Sequence, residues 1–182
     1  MRNNYTAAIK FIEDNIELIE NNDFSILYSK LKSQPPAYIS IITEKLYEAG
    51  IDPLQYLDHI PLYYLLYTKR DSFVIPNHIN SISQSAFLGS QLKSIIIPEG
   101  VTFIGSQSFQ DCSELKSLSL PSSLKSIATN AFRNCHSLKD ITYNGTRDEW
   151  NKLIISITAF STSIDDYKAV QCKDGPITLR TS

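Results

Sequence analysis

Cysteine and histidine are the residue types in this sequence with the most obvious potential for chemistry. Cys112 and Cys135 are 23 residues apart, and His136 directly follows the second. Cysteines on adjacent strands, about 4.8 Å apart, are able to form a disulfide or to contribute to a metal site. A zinc site needs three or four ligands, however, and the other candidate ligands fall in separate segments. We therefore predict that Cys112 and Cys135 are core residues and that no metal is bound.

Three lysines recur at the same spacing as the cysteines. Lys93, Lys116 and Lys139 are each 23 residues apart, so a repeating fold would place them in one outward-facing column. Like charges at strand spacing repel by roughly a few tenths of a kcal/mol each, which a folded protein tolerates. The column is therefore expected either to meet an acidic partner or to serve only solubility.

The sequence lacks the motifs of catalysis and of nucleic-acid binding. It contains no nucleophile elbow, phosphate-binding glycine loop, zinc-protease helix or dinucleotide fingerprint, and it has 6 glycines in all. Its net charge of −2 offers no basic surface for nucleic acid. Glu13, Glu17 and Glu20 would be able to imitate phosphates, but a solvated helix face explains them more simply. We predict a protein that is not an enzyme, needs no cofactor and does not bind nucleic acid directly.

An apolar pattern that occurs three times predicts the elements that position these side chains. Ile82, Ile104 and Ile127 are 22 and 23 residues apart, and each is followed five positions later by a phenylalanine. A period of this length is typical of a solenoid, in which each unit buries its apolar side only against its neighbours.

Each repeat contains a predicted strand with an inward and an outward side. The four strands are expected at 72–76, 94–98, 117–121 and 140–144. Alternation places one outward column at Val74, Ile96, Ser119 and Thr142. Two adjacent apolar side chains on an outer face need cover from the N-terminal helices or from a partner. Phe103 is a further unusual apolar residue, since the other repeats have serine there.

Several stretches of the repeats match one known pattern in phase. They are Ala86-Phe87, Leu92 to Ile95, Ile97-Pro98, Val101 to Gly105, Cys112, Ala131-Phe132 and Cys135. In these stretches the sequence resembles the BspA-type leucine-rich repeat, and the segment from Tyr143 to Trp150 is similar to the closing segment of such arrays. The first repeat departs from the pattern, because it is one residue short between Phe87 and Leu92 and lacks the cysteine. The resemblance implies a binding function, of the kind found in surface adhesins and in phage or prophage proteins with helices before a few repeats.

The sequence pattern of the N-terminal part, residues 1–70, predicts helices. One apolar stripe recurs at steps of three and four residues, formed by Tyr5, Ile9, Ile12, Ile16 and Ile19. This spacing predicts a single amphipathic helix that buries the stripe. Further helices are expected over 24–31 and from Pro36 to a terminating Gly50. The tyrosine-rich segment 56–67 is expected to cap the solenoid or to form a binding patch at Tyr63 and Tyr64.

We therefore predict an α+β protein with a helical N-terminal domain (1–70), leucine-rich repeats (71–143) and a C-terminal capping segment (144–182) that contains a hairpin around Asp174-Gly175. Its predicted function is non-enzymatic binding of a protein partner. The candidate partner-binding residues are Tyr63, Tyr64, Val74, Lys93, Ile96, Phe103, Lys116, Ser119, Lys139 and Thr142. The leading specific hypothesis is a phage or prophage inhibitor that occludes a bacterial host protein, for example one of CRISPR defence. The alternatives are a surface adhesin or structural module, and a small-molecule sequestering protein with a pocket between the helices and the first repeat.

The sequence also indicates where the protein acts. No apolar run approaches the roughly 18 residues of a membrane span, and the first residues do not resemble a signal peptide. Three cysteines, an odd number, fit a reducing compartment. We expect a location in the cytoplasm of the bacterial host, without membrane association, and we leave the oligomeric state open.

Overall fold

The structure is a computed structural model that describes residues 2–21, 23–31, 33–50, 59–60, 71–160 and 168–179. The helices in these ranges are α1 (Arg2–Asp14), α2 (Ile16–Glu20), α3 (Phe24–Leu31), α4 (Pro36–Glu48) and α5 (Arg147–Trp150). The strands are β1 (His59–Ile60), β2 (Ser72–Val74), β3 (Ser81–Ile82), β4 (Ser94–Ile96), β5 (Phe103–Ile104), β6 (Ser117–Leu120), β7 (Ser126–Ile127), β8 (Asp140–Tyr143), β9 (Ile154–Ile155), β10 (Lys168–Cys172) and β11 (Gly175–Leu179). The predicted α+β architecture, with helices before a solenoid and a cap, is confirmed.

The solenoid is built from two sheets. The long sheet has the order β11-β10-β8-β6-β4-β2, and the short sheet has the order β1-β3-β5-β7-β9. All pairs in the solenoid are parallel except the terminal hairpin β10–β11. The short sheet begins at β1, within the range that we assigned to the helical domain, and it ends at β9, beyond residue 143. The domain boundaries at 70 and 143 stay predictions.

A column of stacked phenylalanines forms the centre of the core. Phe87, Phe109 and Phe132 are fully buried, with ring centroids 4.8 and 5.0 Å apart and nearly parallel planes. Phe160 continues the stack at 5.0 Å from Phe132. It follows Ile155 by five residues, as each earlier phenylalanine follows its isoleucine. A further copy of the pattern thus lies after α5, where the insertion of that helix lengthens the period.

The N-terminal helices differ from the single amphipathic helix that the stripe predicts. The chain breaks between α1 and α2 at Asn15, whose Nδ2 donates to Phe11 O at 2.8 Å and whose Oδ1 accepts from Lys30 Nζ at 2.9 Å. Because of this break Ile16 is exposed, while Ala8 is fully buried. The predicted burial of the whole stripe was therefore wrong.

Helices α3 and α4 agree more closely with the helices predicted from the sequence. Leu27 and Leu31 are buried in α3. Helix α4 begins at Pro36, and Gly50 beyond its end has a φ of +79°. A proline in the first turn and a left-handed glycine after the last are the positions where these residues favour helix boundaries.

The C-terminal cap is held by hydrogen bonds between α5 and the hairpin. Thr146 and Glu149 form a capping box at the start of α5. The Asp174 carboxylate accepts from Arg147 N at 2.8 Å, which ties the hairpin turn to the same helix. The predicted hairpin is confirmed, although Gly175 pairs with Cys172 in the ladder, so the turn itself consists of the two residues before Gly175. Strand β10 also pairs with β8 and thereby extends the long sheet.

Candidate protein-binding surface

The outer face of the long sheet carries the predicted apolar pair. We call the column of Val74, Ile96, Ser119 and Thr142, together with the lysine column beside it, the sheet face. The strand register places Val74 next to Ile96, Ile96 next to Ser119, and Ser119 next to Thr142. Val74 is 73% exposed and Ile96 57% exposed. The N-terminal helices therefore do not cover this pair, and both side chains remain exposed.

The lysine column is confirmed by the backbone. Lys93 N donates to Asp71 O at 2.7 Å, Lys116 N to Lys93 O at 2.8 Å, and Lys139 N to Lys116 O at 3.0 Å. Lys93 Nζ lies 2.9 Å from Asp71 Oδ1. The hydrogen bond and the charge of Asp71 raise the pKa of Lys93. In the part of the chain that the structure describes, Lys116 and Lys139 form no ion pair, so they are the charges available to a partner.

The structure separates the remaining candidates from the sheet face. Phe103 is 41% exposed but lies in the short sheet, in register with Ser81 and Ser126. It belongs to a different sheet and does not extend the column of Val74 and Ile96. Tyr63 and Tyr64 lie outside the described residues.

The cysteines have the core positions that we predicted. Cys112 and Cys135 are fully buried and carry thiols rather than a disulfide. Cys112 Sγ donates to Phe87 O at 3.0 Å, and Cys135 Sγ donates to Phe109 O at 3.1 Å. Each thiol thus forms a hydrogen bond with a backbone carbonyl of the preceding repeat. In the first repeat Ser90 occupies this position, with its Oγ 3.3 Å from Cys112 Sγ.

The acid–base properties of these thiols follow from the same contacts. Hydrogen bonding with Cys135 and with Ser90 lowers the pKa of Cys112 against the opposing effect of burial. Within the described ranges, no three side chains of the His, Cys, Asp or Glu types come together in a way that would hold a metal ion. The hydrogen bonds of both thiols lie within the core of the solenoid.

A second exposed surface was missed by the sequence reasoning. Ile154 is 76% exposed and Ile157 is 78% exposed, and both follow α5. Beside Ile154 lies an open groove of about 300 Å³. It is lined by Ser122, Leu124, Lys125, Tyr143, Glu149, Lys152, Leu153 and Ile154. The five-residue spacing from Ile155 to Phe160 was the signal that would have revealed this additional copy and its outward neighbours.

Among the described residues, none of the helices combines the length and the apolar character needed to cross a bilayer.

Comparison with known proteins identifies the repeats. Residues 58–169 match the model of the BspA type leucine rich repeat region, in six copies. No curated protein matches the chain. Among solved structures, a leucine rich cell surface protein from Faecalibacterium prausnitzii A2-165 is similar, with 25% identity and a TM-score of 0.34. That match covers 53% of this chain and 36% of the other. The family match extends over more than half of the residues, and the chain therefore belongs to the BspA-type leucine-rich repeat family.

Proposed function

We propose that this chain is a non-enzymatic protein that binds a protein partner through the sheet face. One observation carries the proposal: Val74 and Ile96 are exposed side by side on the outer face of the long sheet. Burial of apolar surface contributes about 25 cal/mol per Å². A partner that covers the two side chains would therefore gain stability, whereas serine and threonine at the same column gain little.

The surroundings of the pair fit an interface. An apolar centre with a polar and charged rim is the usual composition of a protein–protein interface. Lys116 and Lys139 supply positive charge at this rim, and Ser119 and Thr142 supply hydroxyl groups. An acidic surface on the partner would be steered toward the lysines and would orient on the apolar pair.

The more specific proposal is a phage or prophage inhibitor that acts in the cytoplasm of a bacterial host. Its support is the arrangement of helices before a short repeat array, which resembles such proteins. In this version the sheet face covers a functional surface of a host protein, for example a component of a defence system such as CRISPR. Inhibition would follow from occlusion, since a binding protein needs no catalytic group to block a partner.

Affinity capture with matched variants tests the proposal. The wild-type protein, Ile96→Asp and Ile157→Asp would each be immobilised and exposed to bacterial lysate. Ile157 is a suitable control because it is at least as exposed as Ile96 but lies outside the long sheet. We expect a protein that is captured by the wild type and by Ile157→Asp, and lost with Ile96→Asp. Equal capture by all three folded proteins would show that the sheet face is not the binding surface.

The captured protein also tests the specific version. A bacterial defence protein whose activity falls in proportion to the amount of bound chain would support the inhibitor. A captured protein of the bacterial cell surface would instead support the adhesin alternative.

A further inference from the structure

The last copy of the repeat exposes apolar residues where earlier copies are mostly polar. Ile154 lies in β9, in register with Ser126, which is itself paired with Phe103. Ile157 follows two residues after the column isoleucine. At that position the earlier copies have Gln84, Ser106 and Thr129. The exposure of Ile154 and Ile157 is therefore a property of this copy and is not required by the repeat.

The groove beside Ile154 has an apolar floor. Leu124 and Tyr143 are buried beneath it, and the partly buried Leu153 forms the adjoining wall. Its volume of about 300 Å³ is at the lower limit of small-molecule pockets. Because the groove is open, it suits an extended peptide with one inserted side chain better than an enclosed small molecule.

Charged groups of both signs surround the groove: Lys125, Lys152 and Glu149 line it, and the carboxylate of Glu99 accepts from Ser122 N in its lining. Lys125 is held beside β9, since its carbonyl oxygen accepts from Ile154 N at 2.9 Å. Lys152 lies on the same lining. Glu149 is also there, but its Oε2 accepts from Thr146 N at 2.7 Å in the helix cap. Over the residues that the structure describes, neither lysine forms an ion pair.

We propose that this groove binds an acidic peptide segment of a protein partner, with an apolar side chain of the segment inserted against Ile154. The apolar side chain would pack on Leu124 and Leu153, and the carboxylates of the segment would pair with Lys125 and Lys152. The groove shares none of its residues with the sheet face. This inference therefore stands independently of the proposed function.

Fluorescence anisotropy with synthetic probes tests the proposal. The probe is a short fluorescein-labelled peptide of alternating leucine and glutamate. One matched probe has glutamine in place of glutamate, and another has alanine in place of leucine. The full chain is titrated against each probe as wild type, as Lys125→Glu/Lys152→Glu, as Ile154→Asp, and as the sheet-face control Ile96→Asp. Thermal unfolding verifies that each variant is folded, and Lys125→Gln/Lys152→Gln replaces the charge reversal if that variant is unstable.

The proposal predicts saturable binding of the leucine–glutamate probe that weakens as salt is raised. Either groove variant should weaken binding about tenfold or more, as should either probe substitution. Ile96→Asp should weaken binding less than either groove variant does. The proposal is overturned by an absence of binding to the wild type, by equal binding of the glutamine probe, or by equal affinity in the groove variants. A loss of affinity in Ile96→Asp alone would assign the probe to the sheet face and would also overturn it.

Discussion

Ser108 shows at the scale of one residue how closely the repeat specifies its core. It occupies the position that Ala86, Ala131 and Ala159 have in the other copies, and it is fully buried. Its hydroxyl has no hydrogen-bond partner among the described residues. A buried polar group without a partner costs about 1–3 kcal/mol.

We predict that Ser108→Ala raises the free energy of unfolding by about 1 kcal/mol, measured by urea denaturation. Ser90→Ala is the matched control, because the buried Ser90 hydroxyl lies 3.3 Å from Cys112 Sγ and its removal breaks a contact. The control should lower stability. A decrease for Ser108→Ala as well would mean that its hydroxyl has a partner in solution.

Glu99 gives a prediction for pH dependence. Desolvation raises the pKa of the exposed Glu99, but hydrogen bonds from Ser122, Ser123 and Asn144 outweigh it, and the net pKa is lowered. Its Oε1 accepts from Ser122 N at 2.9 Å, and its Oε2 accepts from Ser123 N at 3.1 Å. A carboxyl group with a lowered folded-state pKa adds stability above its unfolded pKa. That contribution is lost as the pH falls through the folded pKa.

Glu99→Gln should therefore lower the melting temperature most at neutral pH. The difference from wild type should shrink as the pH falls below about 4.3, the ordinary pKa of glutamate. Thermal unfolding between neutral and acidic pH measures this. Glu114→Gln removes the same charge from an exposed turn and serves as the control. A difference for Glu99→Gln that grows toward acidic pH would contradict the assigned direction.

At the scale of the element, the distance between neighbouring repeats is visible at Gly105, which follows β5. A Cβ at this position would lie 2.7 Å from Ile82 O and 2.7 Å from Gln84 N, both backbone atoms of the preceding repeat. Gly105 N also donates to Ile82 O at 2.9 Å, so the strand cannot retreat without losing that bond.

We predict that Gly105→Ala destabilises the protein by about 1–3 kcal/mol, because packed backbone has to shift. Urea denaturation measures the change. The equivalent residue of the next repeat is Ala128. A Cβ is therefore tolerated at that repeat, and the need for glycine is specific to Gly105. Ala128→Gly should therefore cost less than Gly105→Ala. Wild-type stability in Gly105→Ala would show that the two repeats are further apart at this point than the structure has them.

The same elements show how much of the fold the sequence predicts. The strands of the long sheet follow from alternation and period, because each inward residue has an equivalent in the next repeat. The copy at Ile155 and Phe160 was missed because α5 lengthens the spacing, although the five-residue separation is intact. The break at Asn15 was missed for a different reason. At the break the Asn15 side chain bonds Phe11 O and Lys30 Nζ, and the apolar periodicity contains no information on such polar contacts.

At the scale of the whole molecule, stacking converts a column in the sequence into a column in space. The position of Val74 beside Ile96 and the ladder from Asp71 to Lys139 were therefore predictable from spacing alone. Which of these side chains are exposed and unpaired was not predictable from spacing. The ion pair of Asp71 with Lys93, and the separate sheet that contains Phe103, depend on side-chain contacts and on which sheet each turn joins. Outward-facing residues differ from one repeat to the next. The period of the sequence therefore predicts the solenoid but not the partner that it binds.

The proposed function requires that the apolar pair on the sheet face binds the partner. Val74→Thr/Ile96→Thr tests it most directly, because threonine already occupies this column at Thr142 and favours a strand. The free energy of unfolding should change by no more than about 0.5 kcal/mol per residue. Calorimetric titration with the captured partner should show that the double variant binds with an affinity weakened by about tenfold or more. Ile157→Thr should bind the partner as the wild type does. Wild-type affinity in the folded double variant would contradict the claim.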